Sequence, residues 1–122
     1  MSDPWPTELR VSKDRKQLVV SFDDGSAHSL PAEMLRVLSP SAEVQGHGPG
    51  QKKTVPGKKD VTITSMTTTG NYAVRIVFDD GHDSGIYTWK YLRELGETGD
   101  ALFSAYEQEL SEKGLSREPR FR

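Results

Sequence analysis

Short runs of alternating apolar and polar residues predict β-strands in the first third of the chain. The pattern occurs at residues 8–12, 17–22 and 27–30. A period of two is typical of a strand with one buried face. The polar KDRK segment predicts the first turn, and Asp-Asp-Gly-Ser at 23–26 predicts the second. These runs predict a three-stranded meander whose buried positions are Leu9, Val11, Leu18, Val20 and Phe22.

The same alternation returns after the middle of the chain. Residues 61–66 and 72–78 predict two strands joined by TTTGN, and a second Asp-Asp-Gly turn at 79–81 leads into HDSGIY. The face predicted to be buried in the 72–78 strand consists of Tyr72, Val74, Ile76 and Phe78.

Three helices are predicted from apolar spacing and from residues that begin or end helices. Pro31 fits the first turn of a helix that ends before Pro40, Thr88 can cap a second helix, and Asp100 can cap a third that ends at Gly114. The apolar positions are Met34, Leu35 and Leu38 in the first helix, Trp89, Leu92 and Leu95 in the second, and Leu102, Phe103, Tyr106 and Leu110 in the third. The predicted fold class is α+β: an antiparallel sheet of hairpins with two short helices and a C-terminal helix.

The length of 122 residues predicts a single domain over residues 1–122, with its core at about 7–113. Residues 39–60 contain three prolines and four glycines and predict one long loop, and 115–122 predict a loose tail.

Two stretches of the chain repeat one plan. Residues 19–36 and 75–93 both run through a strand, Phe-Asp-Asp-Gly, a short strand, a helix start and Leu-Arg. Asp and Gly are common in hairpin turns, so turn chemistry alone is one explanation. The other is a pseudo-symmetric domain. In either case, both helices follow equivalent hairpins and are expected to cover the same face of one antiparallel sheet.

Composition excludes several classes of chemistry. The chain has no cysteine, which removes disulfides, thiolate catalysis and cysteine-based zinc or iron–sulfur sites. A net charge of −2 gives no overall attraction to nucleic acid or anionic membrane, although Lys52, Lys53, Lys58 and Lys59 form a local basic stretch. With no long apolar run and no signal-peptide pattern at the start, a cytoplasmic location is expected.

No local motif establishes a catalytic or phosphate-binding site. GHGPGQKKT fails as a phosphate loop because Gln51 stands where the second glycine is needed. His28, His47 and His82 lack the spacing of helical metal ligands, and the sequence alone assembles no serine, histidine and acid set.

The segments LRVLSPSAEVQGHGPGQ and IVFDDGHDSGIYTWKYLREL resemble the family named for the N-terminal domain of gamma-butyrobetaine hydroxylase, over about Leu9 to Leu95. In the hydroxylases this domain precedes an oxygenase domain, and a Leu-Arg-x-x-Cys-Pro-Cys-x-x-Cys segment with a later histidine holds a structural zinc. Here the three cysteine positions carry Ser39, Ser41 and Val44, and only His82 matches. No bound cofactor is therefore expected, and the short stretch after Leu95 implies no oxygenase activity.

Two functional hypotheses follow. The first is a non-catalytic interaction or assembly module that recognises a protein partner through residues 39–60 and the His82 turn. Resemblance to segments attached to plastid iron–sulfur cluster carriers implies a link to metal-cofactor assembly. The alternative is a metal-binding protein that uses His82 with His47 and Glu43 or Asp83 as nitrogen and oxygen ligands. The candidate surface consists of Glu43, His47, His82 and Asp83.

Overall fold

The computed structural model describes residues 5–46 and 52–119. It has six strands and three helices within these ranges. In chain order they are β1 (Pro6–Val11), β2 (Gln17–Phe22), β3 (Ala27–Pro31), α1 (Ala32–Val37), α2 (Ala42–Gln45), β4 (Ile63–Thr69), β5 (Ala73–Phe78), β6 (Gly85–Thr88) and α3 (Trp89–Glu112). The α+β class predicted from the sequence is confirmed.

The strands form two three-stranded antiparallel sheets rather than one. Their orders are β1-β2-β3 and β4-β5-β6, so each Phe-Asp-Asp-Gly turn joins the second and third strands of its own sheet. The inward faces of both sheets and the apolar faces of α1 and α3 form one core. Fully buried members of this core include Leu18, Val20, Leu30, Leu35, Ile63, Ile76, Phe78, Tyr87 and Leu92.

The predicted β4–β5 connection was partly wrong. Thr67, Thr68 and Thr69 belong to β4, because β-branched side chains suit an extended strand, and the turn lies at residues 70–72. Tyr72 therefore precedes β5 and is 54% exposed instead of lying on its buried face. The alternation of faces holds only within the paired strand, which begins at Ala73.

The second and third predicted helices are one continuous helix. Thr88 caps its start, since the Tyr91 N–H donates to the Thr88 hydroxyl at 3.0 Å, and Gly114 follows its end with φ +67°. Asp100, predicted as a cap, lies inside α3. Gly96 and Gly99 also lie inside α3, and both allow close packing against neighbouring side chains. A Cβ at Gly99 would lie 2.7 Å from the Met34 sulfur.

The two Phe-Asp-Asp-Gly hairpins share backbone geometry as well as sequence. In both, the Phe N–H bonds to the carbonyl four residues later, at 2.9 and 3.0 Å. The second aspartate of each turn accepts the N–H two residues on at 3.0 Å, and the glycines have φ of +88° and +91°. Equivalent pairs are Phe22 and Phe78, Asp24 and Asp80, Gly25 and Gly81, and Ser26 and His82.

The equivalence extends to contacts between the halves. Both leading strands carry a register shift at the same place, after Pro6 in β1 and after Ile63 in β4. Arg36 of α1 binds Asp80 of the second hairpin at 2.8 Å, and Arg93 of α3 binds Asp24 of the first hairpin at 2.8 Å. Turn chemistry fixes only the Asp and Gly positions. These reciprocal contacts therefore favour the pseudo-symmetric interpretation.

Both segments predicted to be irregular are packed against the rest of the chain in their described parts. The 39–60 segment contains α2, and its Gly57 and Lys59 N–H groups bond to the carbonyls of Ser116 and Arg117. Arg117 in turn makes two 2.7 Å hydrogen bonds to the buried Glu33 carboxylate. The described part of the predicted tail, residues 115–119, is thus held in place and is not loose. Residues 120–122 lie outside the described ranges.

Candidate functional site

The site forms where the turn between β5 and β6 meets the segment that follows α1. The backbone is reversed at Gly81, and the His82 N–H donates to Asp80 Oδ1. This geometry directs the imidazole inward, where it is only 6% exposed. The end of α1 brings Ser39 to the same place.

Both ring nitrogens of His82 have hydrogen-bond partners. Nε2 lies 2.9 Å from Ser39 Oγ, and Nδ1 lies 3.0 Å from Glu43 Oε1. An ionised carboxylate only accepts hydrogen bonds, so Nδ1 carries the hydrogen and donates it to Glu43. In the neutral ring Nε2 is then an acceptor, and the Ser39 hydroxyl donates to it.

The environment favours the neutral form of this histidine. Burial is the main cause that lowers the pKa of His82 below its ordinary value, and the positive charge of Arg36 acts in the same direction. Glu43 and Asp80 oppose the shift without cancelling it. The imidazole is therefore mainly neutral at pH 7, and its hydrogen-bond partners are compatible with that form.

Hydroxyl groups extend the network around the imidazole. Ser41 Oγ lies 2.7 Å from Ser84 Oγ, and the Ser84 hydroxyl donates to Glu43 at 3.0 Å. Ser41 also begins α2, because its hydroxyl accepts the Glu43 N–H at 3.1 Å. That short helix positions the carboxylate that binds His82.

An ion cluster holds the other side of the turn. Asp80 Oδ2 accepts from Arg36 Nε at 2.8 Å and from Lys58 Nζ at 2.6 Å. Burial raises the pKa of Asp80, but hydrogen bonds from Lys58, the His82 N–H and Arg36 outweigh it and lower the pKa to about 2. The cluster joins α1, the 39–60 segment and the hairpin.

The structure brings together most of the residues selected from the sequence. Ser39, Ser41, Glu43 and His82 form one hydrogen-bonded group, and Val44 is buried at the end of the same segment. Asp83 is exposed and lies 3.8 Å from Arg75, outside this group. His47 lies outside the described residues.

Sequence reasoning missed Ser84 and the Arg36–Asp80–Lys58 cluster. The repeated Phe-Asp-Asp-Gly and Leu-Arg motifs did contain a signal for the Arg36–Asp80 pair. In both halves, the arginine of Leu-Arg binds the second aspartate of the opposite hairpin. Ser84 and Lys58 carry no local pattern that marks them.

The order Glu43–His82–Ser39 is that of an acid, a base and a nucleophile, but the serine is sealed. Ser39 is fully buried, and its Oγ also accepts the Ser41 N–H at 3.2 Å. A Cβ at Gly85 would lie 2.7 Å from Ser39 Oγ and 2.9 Å from the Tyr87 ring, so the space beside the hydroxyl is filled. A substrate carbonyl has no room to reach this oxygen, which nucleophilic catalysis requires.

The residues present do not fit the structural zinc implied by the family resemblance. The cysteine positions provide two hydroxyls and an apolar side chain, and both imidazole nitrogens are already hydrogen-bonded. Zinc in structural sites is held by thiolates and imidazoles in a closed tetrahedral set. Within residues 5–46 and 52–119, no three His, Asp or Glu side chains lie close enough together to hold a metal ion.

No helix in these ranges is long and apolar enough to cross a membrane.

Comparisons with known proteins identify relatives with the same fold. Two proteins whose solution structures were determined by NMR are 41% and 45% identical, with TM-scores of 0.84 and 0.83. The alignments cover 99% and 98% of this chain and 95% and 89% of those chains. A crystallised protein of unknown function from Acidithiobacillus ferrooxidans, assigned to the DUF971 family, is 37% identical with a TM-score of 0.65, over 78% of this chain and 98% of its own.

No curated protein matches the chain significantly. The family model described as gamma-butyrobetaine hydroxylase-like, N-terminal, matches residues 9–93, which include both hairpins and the whole His82 network. The resemblance inferred from the sequence is confirmed, and the chain belongs to the gamma-butyrobetaine hydroxylase-like, N-terminal family.

Proposed function

We propose that this chain is a non-catalytic module that binds a protein partner in the cytoplasm through the 39–60 segment and the adjoining His82 turn. The observation that supports this proposal is the anchoring of the segment at both ends. Its start is bound to the turn through Glu43 and Ser41, and its end through the 2.6 Å contact of Lys58 with Asp80.

Further contacts fix the second half of the segment. Thr54 donates to Glu109 at 3.0 Å and accepts from Lys113, and the Val55 carbonyl accepts the Tyr106 hydroxyl. Lys52 and Lys53 remain exposed between the anchors. The described parts of the segment, 39–46 and 52–60, are held in place before binding, so they lose less conformational entropy in a complex, which favours recognition through them.

The sealed serine argues against hydrolytic chemistry. A fluorophosphonate probe, which labels activated serines, is expected to leave Ser39 unmodified in the native protein because the hydroxyl is buried. Mass spectrometry of the intact protein measures this, and stoichiometric labelling of Ser39 would contradict a non-catalytic role.

The binding proposal is tested by charge reversal, because deleting 45–58 would also remove contacts to α3. Lys52→Glu/Lys53→Glu changes the proposed surface, whereas Lys13→Glu/Lys90→Glu makes the same charge change at exposed sites elsewhere. Each version is used as immobilised bait for native lysate, with captured proteins quantified by mass spectrometry. The first variant should lose a partner that wild type and the control both retain. Equal capture by all three would refute the chosen surface.

The search for that partner begins with proteins that assemble metal cofactors, as the family resemblance implies. We also propose that the protein holds no structural zinc, because the donor set lacks thiolates. Elemental analysis of untagged protein tests this directly. One zinc or other transition metal per chain, lost in a His82→Ala variant, would favour the alternative metal-binding hypothesis.

A further inference from the structure

Strand β4 forms an edge of the second sheet, and most of that edge is free. Among residues 5–46 and 52–119, its only strand partner is β5. The β1–β2 turn covers its beginning, since the Ile63 N–H donates to the Arg15 carbonyl and Arg15 Nη1 donates to the carbonyls of Ile63 and Thr64. Beyond Thr64, no hydrogen bond from the described part of the chain reaches the outer edge of β4. Unpaired backbone groups on an edge are a template for another strand.

The free edge also lacks charge. Residues 61–74 contain no Asp, Glu, Lys or Arg, in a chain that is 28% charged. Ser65, Thr67 and Thr68 are exposed, and threonine has a high preference for strands. Natural proteins usually protect an edge strand with charged side chains, proline or a covering segment.

The first sheet provides an internal comparison. β1 is the pseudo-equivalent edge strand, and the matching register shifts after Pro6 and Ile63 align Glu8 with Ser65 and Arg10 with Thr67. Thus β1 begins with proline and carries an opposite-charge pair 3.8 Å apart, where β4 carries two uncharged hydroxyl residues. One edge of the same architecture is protected and the other is open.

We propose that β4 pairs antiparallel with β4 of a second copy of this chain, which joins two three-stranded sheets into a continuous six-stranded sheet. A twofold axis places a strand beside itself, so any charge near the axis would face its own kind. A run of threonines avoids that repulsion, and Thr–Thr pairs across strands are favourable. The charge-free edge therefore suits a second copy. Only about five residues of each strand contribute, so the contact is small and the association weak.

Sedimentation equilibrium and a dilution series of amide NMR spectra on the full chain test the proposal. The average mass should rise toward twice the monomer mass at protein concentrations up to about 1 mM, a range suited to weak complexes. The amide shifts that move with concentration should belong to residues 65–69. Thr67→Lys, which brings two ammonium groups together near the axis, should keep the protein monomeric, whereas Thr67→Val should still associate.

The reverse change is made on the protected edge. Glu8→Ser/Arg10→Thr copies the open edge onto β1 and should add a second self-association contact. Urea unfolding of each variant checks that the exposed substitutions leave the fold intact. Three results would each overturn the proposal. The wild-type protein could remain a monomer at every concentration, Thr67→Lys could associate as strongly as wild type, or the concentration-dependent amide shifts could lie outside β4. A monomeric protein whose β4 amides respond only to an added strand peptide would also overturn self-pairing.

Discussion

Replacing Asp80 by asparagine removes one negative charge from the hairpin turn and preserves its shape. Asparagine keeps the Oδ1 acceptor that receives the His82 N–H, so the backbone turn should persist. The loss falls on Arg36 and Lys58, which both bind Oδ2 and whose side chains are only 12% and 23% exposed. Arg36 Nη1 is already buried without a hydrogen-bond partner among the described residues.

The size of the effect follows from the pKa of this carboxyl. The folded protein holds it at about 2 against an ordinary 3.8, so the ionised form is favoured by about 2 kcal/mol. That figure already contains the lost pairing of Arg36 and Lys58, because it compares the charged with the neutral carboxyl in the same site. Asp80→Asn is therefore expected to lower the free energy of unfolding by roughly 2 kcal/mol at pH 7.

Urea unfolding of wild type and Asp80→Asn at pH 7 and pH 3 measures how much unfolding free energy is lost and whether the loss comes from the ionised carboxylate. A carboxyl with a lowered folded-state pKa contributes its full stability above the unfolded pKa, and this stability is lost as pH falls through the folded pKa. The difference between wild type and Asp80→Asn should therefore shrink to about half at pH 3.

Asp24→Asn is the matched control for this prediction. It alters the equivalent turn, where the main partner, Arg93, holds the pKa of Asp24 well below its usual range. The Asp24 side chain, however, is 38% exposed. Solvent screening should make its loss smaller. A loss below about 0.5 kcal/mol for Asp80→Asn, or one that is the same at both pH values, would refute the reasoning.

Three further predictions concern the His82 network. The triple variant Ser39→Cys/Ser41→Cys/Val44→Cys should bind one zinc per chain in elemental analysis, and adding His82→Ala should weaken that binding. Gly85→Ala should lower the urea midpoint and reduce the free energy of unfolding by about 1–3 kcal/mol, because the added Cβ would lie 2.7 Å from Ser39 Oγ. An unchanged midpoint would show that the turn relaxes freely. Because the pKa of His82 is lowered in the folded state, the stability contributed by the neutral side chain should be fully present above about pH 6.5. The free energy of unfolding should then fall as the pH drops below that value, because protonation favours the unfolded chain. A His82→Gln variant should lack this slope, and equal slopes would exclude His82 as its source.

The sequence by itself determined the local structure and the family. Alternation along 17–22 and 74–78, the Thr88 cap and the Gly114 stop depend on neighbouring residues only, so they were visible without a fold. The same holds for the cysteine positions, because their identity is read directly as Ser39, Ser41 and Val44. Errors arose at Tyr72, which was predicted to lie on a buried strand face, and at Asp100, which was predicted to cap a separate helix.

Only the tertiary structure decided what these residues contact. The division into two sheets and the continuity of α3 depend on long-range packing, such as Gly99 against Met34, which no sequence window contains. The hydrogen bonds of His82 to Ser39 and Glu43 join residues about forty positions apart. The reciprocal contacts of Arg36 with Asp80 and of Arg93 with Asp24 also join distant parts of the chain. The family resemblance implies that the positions of the zinc-binding cysteines carry Ser39, Ser41 and Val44 here. The fold determined that the remaining histidine is buried, neutral and hydrogen-bonded on both sides, because burial and partner geometry are properties of the assembled core.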